Sequence, residues 1–413
     1  MKILVLNGGS STIKAQLCDF EEHTSQDHPA PPLWEARAEW GRRPNRADLR
    51  IANARGTVEE KEIPLDSAPA VLEPLLSTLW EGSAKVLESR REIDAVGHRV
   101  VHGGHAFQQT TRVTPEVRAE IARLVEFAPE HNRLELEAIE AAEQLFGPAV
   151  PQVAVFDTAF HTTLPQKATV YPGPHDWLDA GIRRYGFHGI SHQYVSRRAA
   201  QILGRNRSSL RIVTCHLGNG CSLAAVRNGC SIDTTMGFTP VEGIMMGTRS
   251  GSVDPGILIY LVRHRGYRAD QLDHTLNKES GLKGVSGVSG DMRDVLKAIE
   301  AGNPRAKLAF DVYAHRLCRE IGGMVASLGG LDVLVFTAGV GENCPPLREL
   351  VCRQLAFLGI DLDVRKNEAS PRDQDVAAPA SAVRVLVIHT EEDWEIAREC
   401  YRTVVGQMAT VTS

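Results

Sequence analysis

This chain predicts an α/β fold built by duplication, in two similar domains, and three observations carry the prediction. First, a pattern of apolar run, polar Gly/Ser turn and apolar run occurs twice. Near the start it reads Ile3-Leu4-Val5-Leu6, Asn7-Gly8-Gly9-Ser10-Ser11-Thr12, Ile13-Lys14-Ala15-Gln16-Leu17. Beyond the midpoint it reads Ile212-Val213-Thr214-Cys215-His216-Leu217, Gly218-Asn219-Gly220, Cys221-Ser222-Leu223-Ala224-Ala225-Val226. Apolar runs on either side of a Gly-rich turn read as β-hairpins. Second, each hairpin is followed by strands and then by strands alternating with helices, the order of a mixed α/β sheet. Third, 413 residues are long for one core, and roughly 150 residues per domain implies two or three. Residues 1–155 with 385–413 are expected to form one domain and 156–384 the other.

Taken in order, the first hairpin is followed by a Pro-, His- and Arg-rich stretch over 21–48, with a strand at Trp34–Trp40. Residues 49–65 read as a further hairpin turning at Arg55-Gly56. Residues 67–91 suit a helix, and 93–101 return as a strand ending in His102-Gly103-Gly104. Helices are expected at 115–127 and 133–146, and a strand at 153–156. In the second half the hairpin at 211–226 leads to a short strand at 231–234 and helices at 254–264 and 304–328. A strand at 333–336 enters the turn Thr337-Ala338-Gly339-Val340-Gly341-Glu342-Asn343. A polar Ala/Pro-rich loop covers 366–382, and a last strand, 383–388, leads through Thr390-Glu391-Glu392-Asp393 into a terminal helix.

Composition narrows the function. With 43% hydrophobic and 23% charged residues the chain lies outside the disordered class. A net charge of −5 gives no electrostatic case for nucleic acid. No apolar stretch approaches membrane-spanning length, and the start does not read as a signal peptide. Eight scattered cysteines contain no C-x-x-C pair and read as small packing residues in a reduced, cytoplasmic protein.

The hairpin turns suit anions, because glycine lets backbone N–H groups approach closely and hydroxyls add donors. A hairpin in each half suggests a phosphate chain gripped from both sides, and hence phosphoryl transfer. There is no G-x-x-x-x-G-K-[ST], and Gly218-x-Gly220 lacks the rest of a dinucleotide fingerprint, so neither a P-loop nor a Rossmann site is expected. Further Gly-, His- and Arg-bearing clusters stand at 98–104, 156–161, 185–192, 246–251 and 286–293. His102, His161 and His192 suit scaffold or site equally, whereas His188 and Arg249, beside glycines, point more directly to anion chemistry.

These motifs, in order and over nearly the whole chain, resemble the acetate kinase family of the actin and sugar-kinase superfamily. The match comprises N-x-G-S-S-[ST]-x-K at 7–14, HRVVHGG at 98–104, FDTAFH at 156–161 and YGFHGISH at 185–192. It continues with CHLGNG at 215–220, MGTRSG at 246–251, SG-D-x-R at 289–293 and G-x-GEN at 339–343. The resemblance implies an actin-like, ribonuclease H-like fold duplicated around a cleft, a homodimer, and ATP-dependent conversion of a short carboxylate to an acyl phosphate with magnesium, or manganese in its place. It makes Asp157, His188 and Arg249 catalytic, and Arg99, Val101, Phe187 and Pro240 substrate-binding. ATP would be held by Lys14, His216, Leu217, Gly218, Asn219, Gly220, Asp291, Met292, Arg293, Gly339, Val340, Gly341, Glu342 and Asn343, and the metal by Asn7 and Glu392. The family gives Asp157 an acid/base role. An ionised carboxylate has no proton to lose, which favours a positioning or metal-water role instead.

Two departures from the family pattern bear on specificity. Ala128-Pro129-Glu130-His131-Asn132-Arg133-Leu134 replaces A-P-L-H-N-P-P, placing Glu130 where an apolar acyl pocket is expected. His389-Thr390-Glu391-Glu392-Asp393 replaces P-T-N-E-E. A propionate or butyrate kinase and a non-catalytic nucleotide-binding relative stand as alternatives. A Glu391-Glu392-Asp393 run also suits the start of a helix through its dipole.

Overall fold

The computed structural model describes residues 1–413 except 10–11, 21–28, 41–44, 66–68, 129–130, 370–371 and 412–413. The chain divides into two units, residues 1–159 with 391–413, and residues 160–390.

The first unit is built on an eight-stranded sheet of order β5-β4-β3-β2-β1-β6-β8-β7. Its strands are β1 (Lys2–Gly9), β2 (Thr12–Asp19), β3 (Trp34–Trp40), β4 (Arg46–Asn53), β5 (Val58–Pro64), β6 (Ala95–Val100), β7 (Thr111–Arg112) and β8 (Gln152–Phe156). β1 pairs antiparallel with β2, setting Asn7 opposite Lys14, and parallel with β6 on its other side. As a central strand it buries Ile3, Leu4 and Val5 completely, which explains its unbroken apolar run. The helices Asn132–Phe146 and Glu392–Val411 pack on β1 and β6. Gly97 permits the second contact, since a Cβ there would lie 3.1 Å from Cγ2 of Ile396 and 3.3 Å from Cβ of Cys400.

The second unit holds a six-stranded sheet of order β11-β10-β9-β12-β14-β13. Its strands are β9 (Arg211–Leu217), β10 (Cys221–Arg227), β11 (Cys230–Thr234), β12 (Val333–Thr337), β13 (Gln374–Asp375) and β14 (Arg384–Val387). The duplication is explicit in the pairing. Each hairpin's first strand, β1 or β9, has its antiparallel partner on one side and two successive parallel strands on the other, β6 and β8 or β12 and β14. Each sheet ends in a short antiparallel strand, β7 or β13. This is the duplicated α/β fold expected, with β4 and β5 as an addition to the first unit.

Several expectations need correction. Residues 67–91 are not one helix: a short helix at Leu72–Ser77 is followed by turns, with Gly82 at φ +81° and both Val86 and Leu87 donating 2.9 Å bonds to the Leu79 carbonyl. The leucines at helical spacing continue the core only to Leu79; Ala84 and Leu87 reach it through irregular backbone. The segment after β12 is a helix, Ala338–Asn343, not a turn. Residues 385–390 belong to the second unit, because β14 pairs with β12, and 156–159 belong to the first. The loop over 366–382 includes β13. Helices at Gly189–Ile202, Ala269–Lys278, Gly281–Ser286, Met292–Glu300 and Pro345–Gln354 are additions to the elements expected from the sequence. Among the described residues no helix is long and apolar enough to cross a membrane.

Candidate active site

In the second unit the site grows from the β9–β10 turn. Gly218 N donates to the Gly220 carbonyl at 3.0 Å, and Gly247 N donates to the Asn219 carbonyl at 3.0 Å, tying the turn to the MGTRSG segment. Gly220 gives its neighbours room: a Cβ there would sit 3.2 Å from Arg249 Nη1 and 3.4 Å from His188 Nε2, tighter than an ordinary contact. A guanidinium and an imidazole thus converge above one Gly turn. Arg249 Nη1 is oriented by a 3.0 Å bond to the Pro240 carbonyl. His188 stands at φ +57° immediately before the helix Gly189–Ile202. The left-handed region is uncommon for a non-glycine residue.

The His188 ring stacks on His216 with centroids 4.1 Å apart and planes 21° from parallel. His188 Nδ1 lies 2.8 Å from Ser222 Oγ, and His216 Nδ1 lies 2.8 Å from Ser191 Oγ. His192 is buried and bridges Thr214 Oγ1 at 2.7 Å and Ser222 Oγ at 2.8 Å. Its pKa falls well below the ordinary histidine value through burial and then the neighbouring His161 and His216. His161, also buried, donates from Nε2 to the Phe187 carbonyl at 3.0 Å. His161 and His192 are therefore interior supports for this cluster.

The remaining expected residues of this unit fall around that core. Phe187, Leu217 and Met292 have buried side chains. Asp291 caps the helix Met292–Glu300 by accepting from Arg293 N at 2.9 Å, and the Arg293 guanidinium grips the same carboxylate, lowering its pKa. The helix Ala338–Asn343, which carries Gly339, Val340, Gly341, Glu342 and Asn343, is held from beneath. Buried Arg348 donates to the carbonyls of Gly341 at 2.8 Å and Glu342 at 2.7 Å. The Glu342 carboxylate lies 2.6 Å from His389 Nδ1 and accepts from Thr390 N at 3.3 Å.

The first unit carries a carboxylate-rich cluster around Arg99. This guanidinium, on β6, donates to Asp157 at 3.1 Å, and the Asp157 side chain is 1% exposed. Burial pulls the Arg99 pKa down, but Asp157, Glu392 and Glu135 outweigh it and raise it. Arg99 Nε is buried with no hydrogen-bond partner among the described residues, an N–H that an anionic ligand would satisfy. Beside it buried Val101 donates its N–H to Glu135 Oε2 at 2.9 Å. Burial pushes the Glu135 carboxyl up to about 8. Glu392, at the start of the terminal helix, is pushed up to about 7, first by burial; Asp157 and Asp393 add to this and Arg99 and Lys14 oppose it. Asn7 Nδ2 donates to Asp393 at 2.8 Å, and Lys14 is exposed on the strand opposite Asn7.

Among the described residues no three His, Cys, Asp or Glu side chains form a metal cage. Glu392 and the Asn7 amide oxygen are hard oxygen donors, and magnesium is commonly held by one or two protein oxygens together with substrate phosphates and water. The donor set fits that manner of binding. Glu135, Asp393, Ser191, Ser222 and Thr390 had no role assigned from the sequence, although Ser191, Ser222, Thr390 and Asp393 lie inside segments singled out there. Ser10, Ser11, Pro129 and Glu130 lie outside the described residues.

A duplicated α/β fold whose glycine turn collects a guanidinium and an imidazole has the donors and positive charge that a kinase needs to receive a phosphoryl group. Comparison with known proteins makes the class particular. The acetokinase family model matches residues 2–398, and the chain belongs to that family. An acetate kinase of Gloeobacter violaceus is 59% identical over 402 residues, covering 97% of this chain and 99% of the relative. One from Cyanothece sp. is 55% identical over 404 residues, with 98% of each chain covered. Among solved structures, Porphyromonas gingivalis acetate kinase superposes with a TM-score of 0.89 at 42% identity, covering 98% of this chain and 99% of that one. A propionate kinase from Francisella tularensis gives 0.88 at 37% identity, covering 97% and 99%.

Proposed function

We propose that this protein is an acetate kinase, transferring the γ-phosphoryl group of ATP reversibly to acetate. The observation that carries the proposal is the convergence of Arg249 and His188 on the space above Gly220. An acetate oxygen attacks phosphorus in line, the bond from phosphorus to the β–γ bridging oxygen breaks, and acetyl phosphate and ADP form. No proton need leave the ionised carboxylate, so the barrier is the meeting of two anions and the charge that builds on the transferring group. Arg249 and His188 supply a preorganised cation and donor to that charge.

Arg99 is the residue for the substrate carboxylate, and Val101, Phe187 and Pro240 are those for its methyl group. Asp157 acts by orienting Arg99, in keeping with its 3.1 Å ion pair. Lys14, His216, Asn219 and the turn glycines hold the phosphates, while Asp291–Arg293 and Gly339–Asn343 take the adenosine half. Magnesium, held through Asn7 and Glu392, would neutralise the phosphate oxygens.

A homodimer is part of the same reading. Its support is the helix Pro255–Arg265, on which Ile257, Ile259, Tyr260 and Val262 are each about half exposed, an apolar surface that a second copy would cover. Light scattering of Ile259→Glu/Tyr260→Asp against the parent chain tests it. All eight cysteines are free thiols, which accords with a reducing, cytoplasmic setting.

ADP release coupled to NADH oxidation, measured with acetate, propionate and butyrate, tests the function. Turnover with acetate at the highest kcat/KM supports it. A preference for propionate, the substrate in the Francisella tularensis relative's name, would move the assignment within the family. No turnover with any of the three would leave a nucleotide-binding relative.

A further inference from the structure

The two stacked imidazoles share a device that the motifs do not reveal. In each, Nδ1 meets a buried serine hydroxyl, and each serine is in turn backed by another polar side chain. Ser222 Oγ, 2.8 Å from His188 Nδ1, is 2.8 Å from His192 Nε2, whose Nδ1 is 2.7 Å from Thr214 Oγ1. Ser191 Oγ, 2.8 Å from His216 Nδ1, is 2.9 Å from Thr390 Oγ1. In each ring the Nε2 edge, opposite the serine, lies toward the glycine turn. His188 Nε2 and the adjoining Cε1 are each 3.4 Å from the Cβ position of Gly220, and His216 Nε2 is 3.7 Å from that of Gly218.

A neutral imidazole carries one proton, so the partner at Nδ1 decides what Nε2 can do. If a hydroxyl donates to Nδ1, Nε2 bears the hydrogen and can donate to a phosphate oxygen. If Nδ1 donates instead, Nε2 is a lone pair that repels the anion unless the ring is cationic. We propose that Ser222 and Ser191 are positioning residues that donate to Nδ1 of His188 and His216, so that both rings present an Nε2–H to the phosphates while uncharged.

The donors balance along both chains. Thr214 donates to His192 Nδ1, His192 Nε2–H donates to Ser222, and Ser222 donates to His188. Thr390 donates to Ser191, and Ser191 donates to His216. The Thr214 hydroxyl is also 3.4 Å from the Ala224 carbonyl, but the 2.7 Å contact with His192 is the better bond. Neutral rings also suit the stack: two imidazolium ions 4.1 Å apart, beside the Arg249 guanidinium, would repel one another. Titratable and charged groups near the pair within this unit include His161, His192 and Arg249, with Cys221 beside Arg249 and Glu342 behind Thr390. The arrangement uses hydroxyls where a carboxylate would otherwise orient a histidine, and a carboxylate would add negative charge beside the phosphates.

This inference rests on the phosphate-binding role proposed above for the two histidines, and its test reads the two ideas separately. Nitrogen NMR of the protein labelled with ¹⁵N-histidine, at pH 8 and without substrate, distinguishes the tautomers directly, whatever the enzyme does. The expected result is Nε2–H on both His188 and His216, assigned with His188→Gln and His216→Gln. Nδ1–H on either ring overturns the proposal for that ring. In turnover, Ser222→Ala should lower kcat roughly tenfold or more with the acetate KM little changed. The loss should deepen as pH rises, because a ring free to change tautomer donates reliably from Nε2 only when protonated. Ser222→Thr, which keeps the hydroxyl, should recover most of the rate. A Ser222→Ala enzyme with parental kcat and pH profile also overturns the proposal. If Ser222→Ala fails to fold by near-ultraviolet circular dichroism, the spectrum of the parent protein decides. Correct tautomers in a protein without carboxylate kinase activity would sink the function and leave the hydrogen-bond assignment standing.

Discussion

Arg99 and Asp157 join the ends of two neighbouring parallel strands: the guanidinium donates to the carboxylate across 3.1 Å, with only 1% of the Asp157 side chain exposed. Asp157 N also donates to the Val100 carbonyl at 2.8 Å, so backbone and side chain fix the same corner. A buried carboxylate needs its cation. Arg99→Gln is therefore expected to lower stability by about 3–5 kcal/mol as well as raising the acetate KM, because it breaks a buried ion pair by removing the cation. Asp157→Asn should cost less, because Glu392 and Glu135 still face the Arg99 charge. Urea unfolding of both variants checks the order.

Arg249→Ala is expected to lower kcat by roughly a hundredfold or more, with the ATP KM and the melting temperature little changed, because its charge is needed most in the transition state. Lysine should rescue poorly, since a point charge cannot replace a planar fork. Gly220→Ala should reproduce part of the loss by driving a methyl group against Arg249 and His188. Steady-state kinetics measure all three, and an Arg249→Ala enzyme keeping over about a tenth of parental kcat removes Arg249 from this role.

Glu135 makes stability depend on pH in the direction opposite to an ordinary ion-paired acid. Its carboxyl is raised from an unperturbed 4.5 to about 8, chiefly by burial, so the folded state holds this proton over a range where the unfolded chain has released it. The contribution is full below pH 4.5 and is lost as pH rises from there through about 8. Glu135→Gln, which keeps the shape without the titration, should lose less stability than the parent between pH 6 and pH 9. Parallel unfolding curves in both proteins across that range would show that Glu135 does not titrate there.

Glu342 clamps the end of the second unit to the segment Ala338–Asn343 through His389 and the Thr390 amide. Glu342→Ala should raise the ATP KM about tenfold, the effect of losing charge-assisted bonds that order the segment, with kcat at saturation changed less. His389→Ala should do the same more weakly, because the Thr390 amide remains. Titration of a fluorescent ATP analogue checks both, and unchanged affinity in Glu342→Ala would exclude the segment from the nucleotide site.

The hairpins β1–β2 and β9–β10, the long helix Pro304–Leu328 and the motifs bearing Arg99, His188, Arg249 and Glu342 were legible in the chain. Local pattern decides these features: apolar runs, Gly turns and helical periodicity act between residues close in sequence. The buried character of Glu135 was not legible, because a glutamate in an amphipathic helix reads as solvated until a sheet covers it. Nor was the failure of the 67–91 helix, since its leucines have helical spacing and only packing reveals that Ala84 and Leu87 are buried by other backbone. Sequence alone determined which residues carry charge and where the backbone turns tightly. Tertiary structure alone decided which hydroxyl stands behind which imidazole, and which carboxylates lose their water. Hydrogen-bond partners and dielectric surroundings come from segments far apart in the chain, as Ser191 and Thr390 do, and no local pattern encodes their meeting.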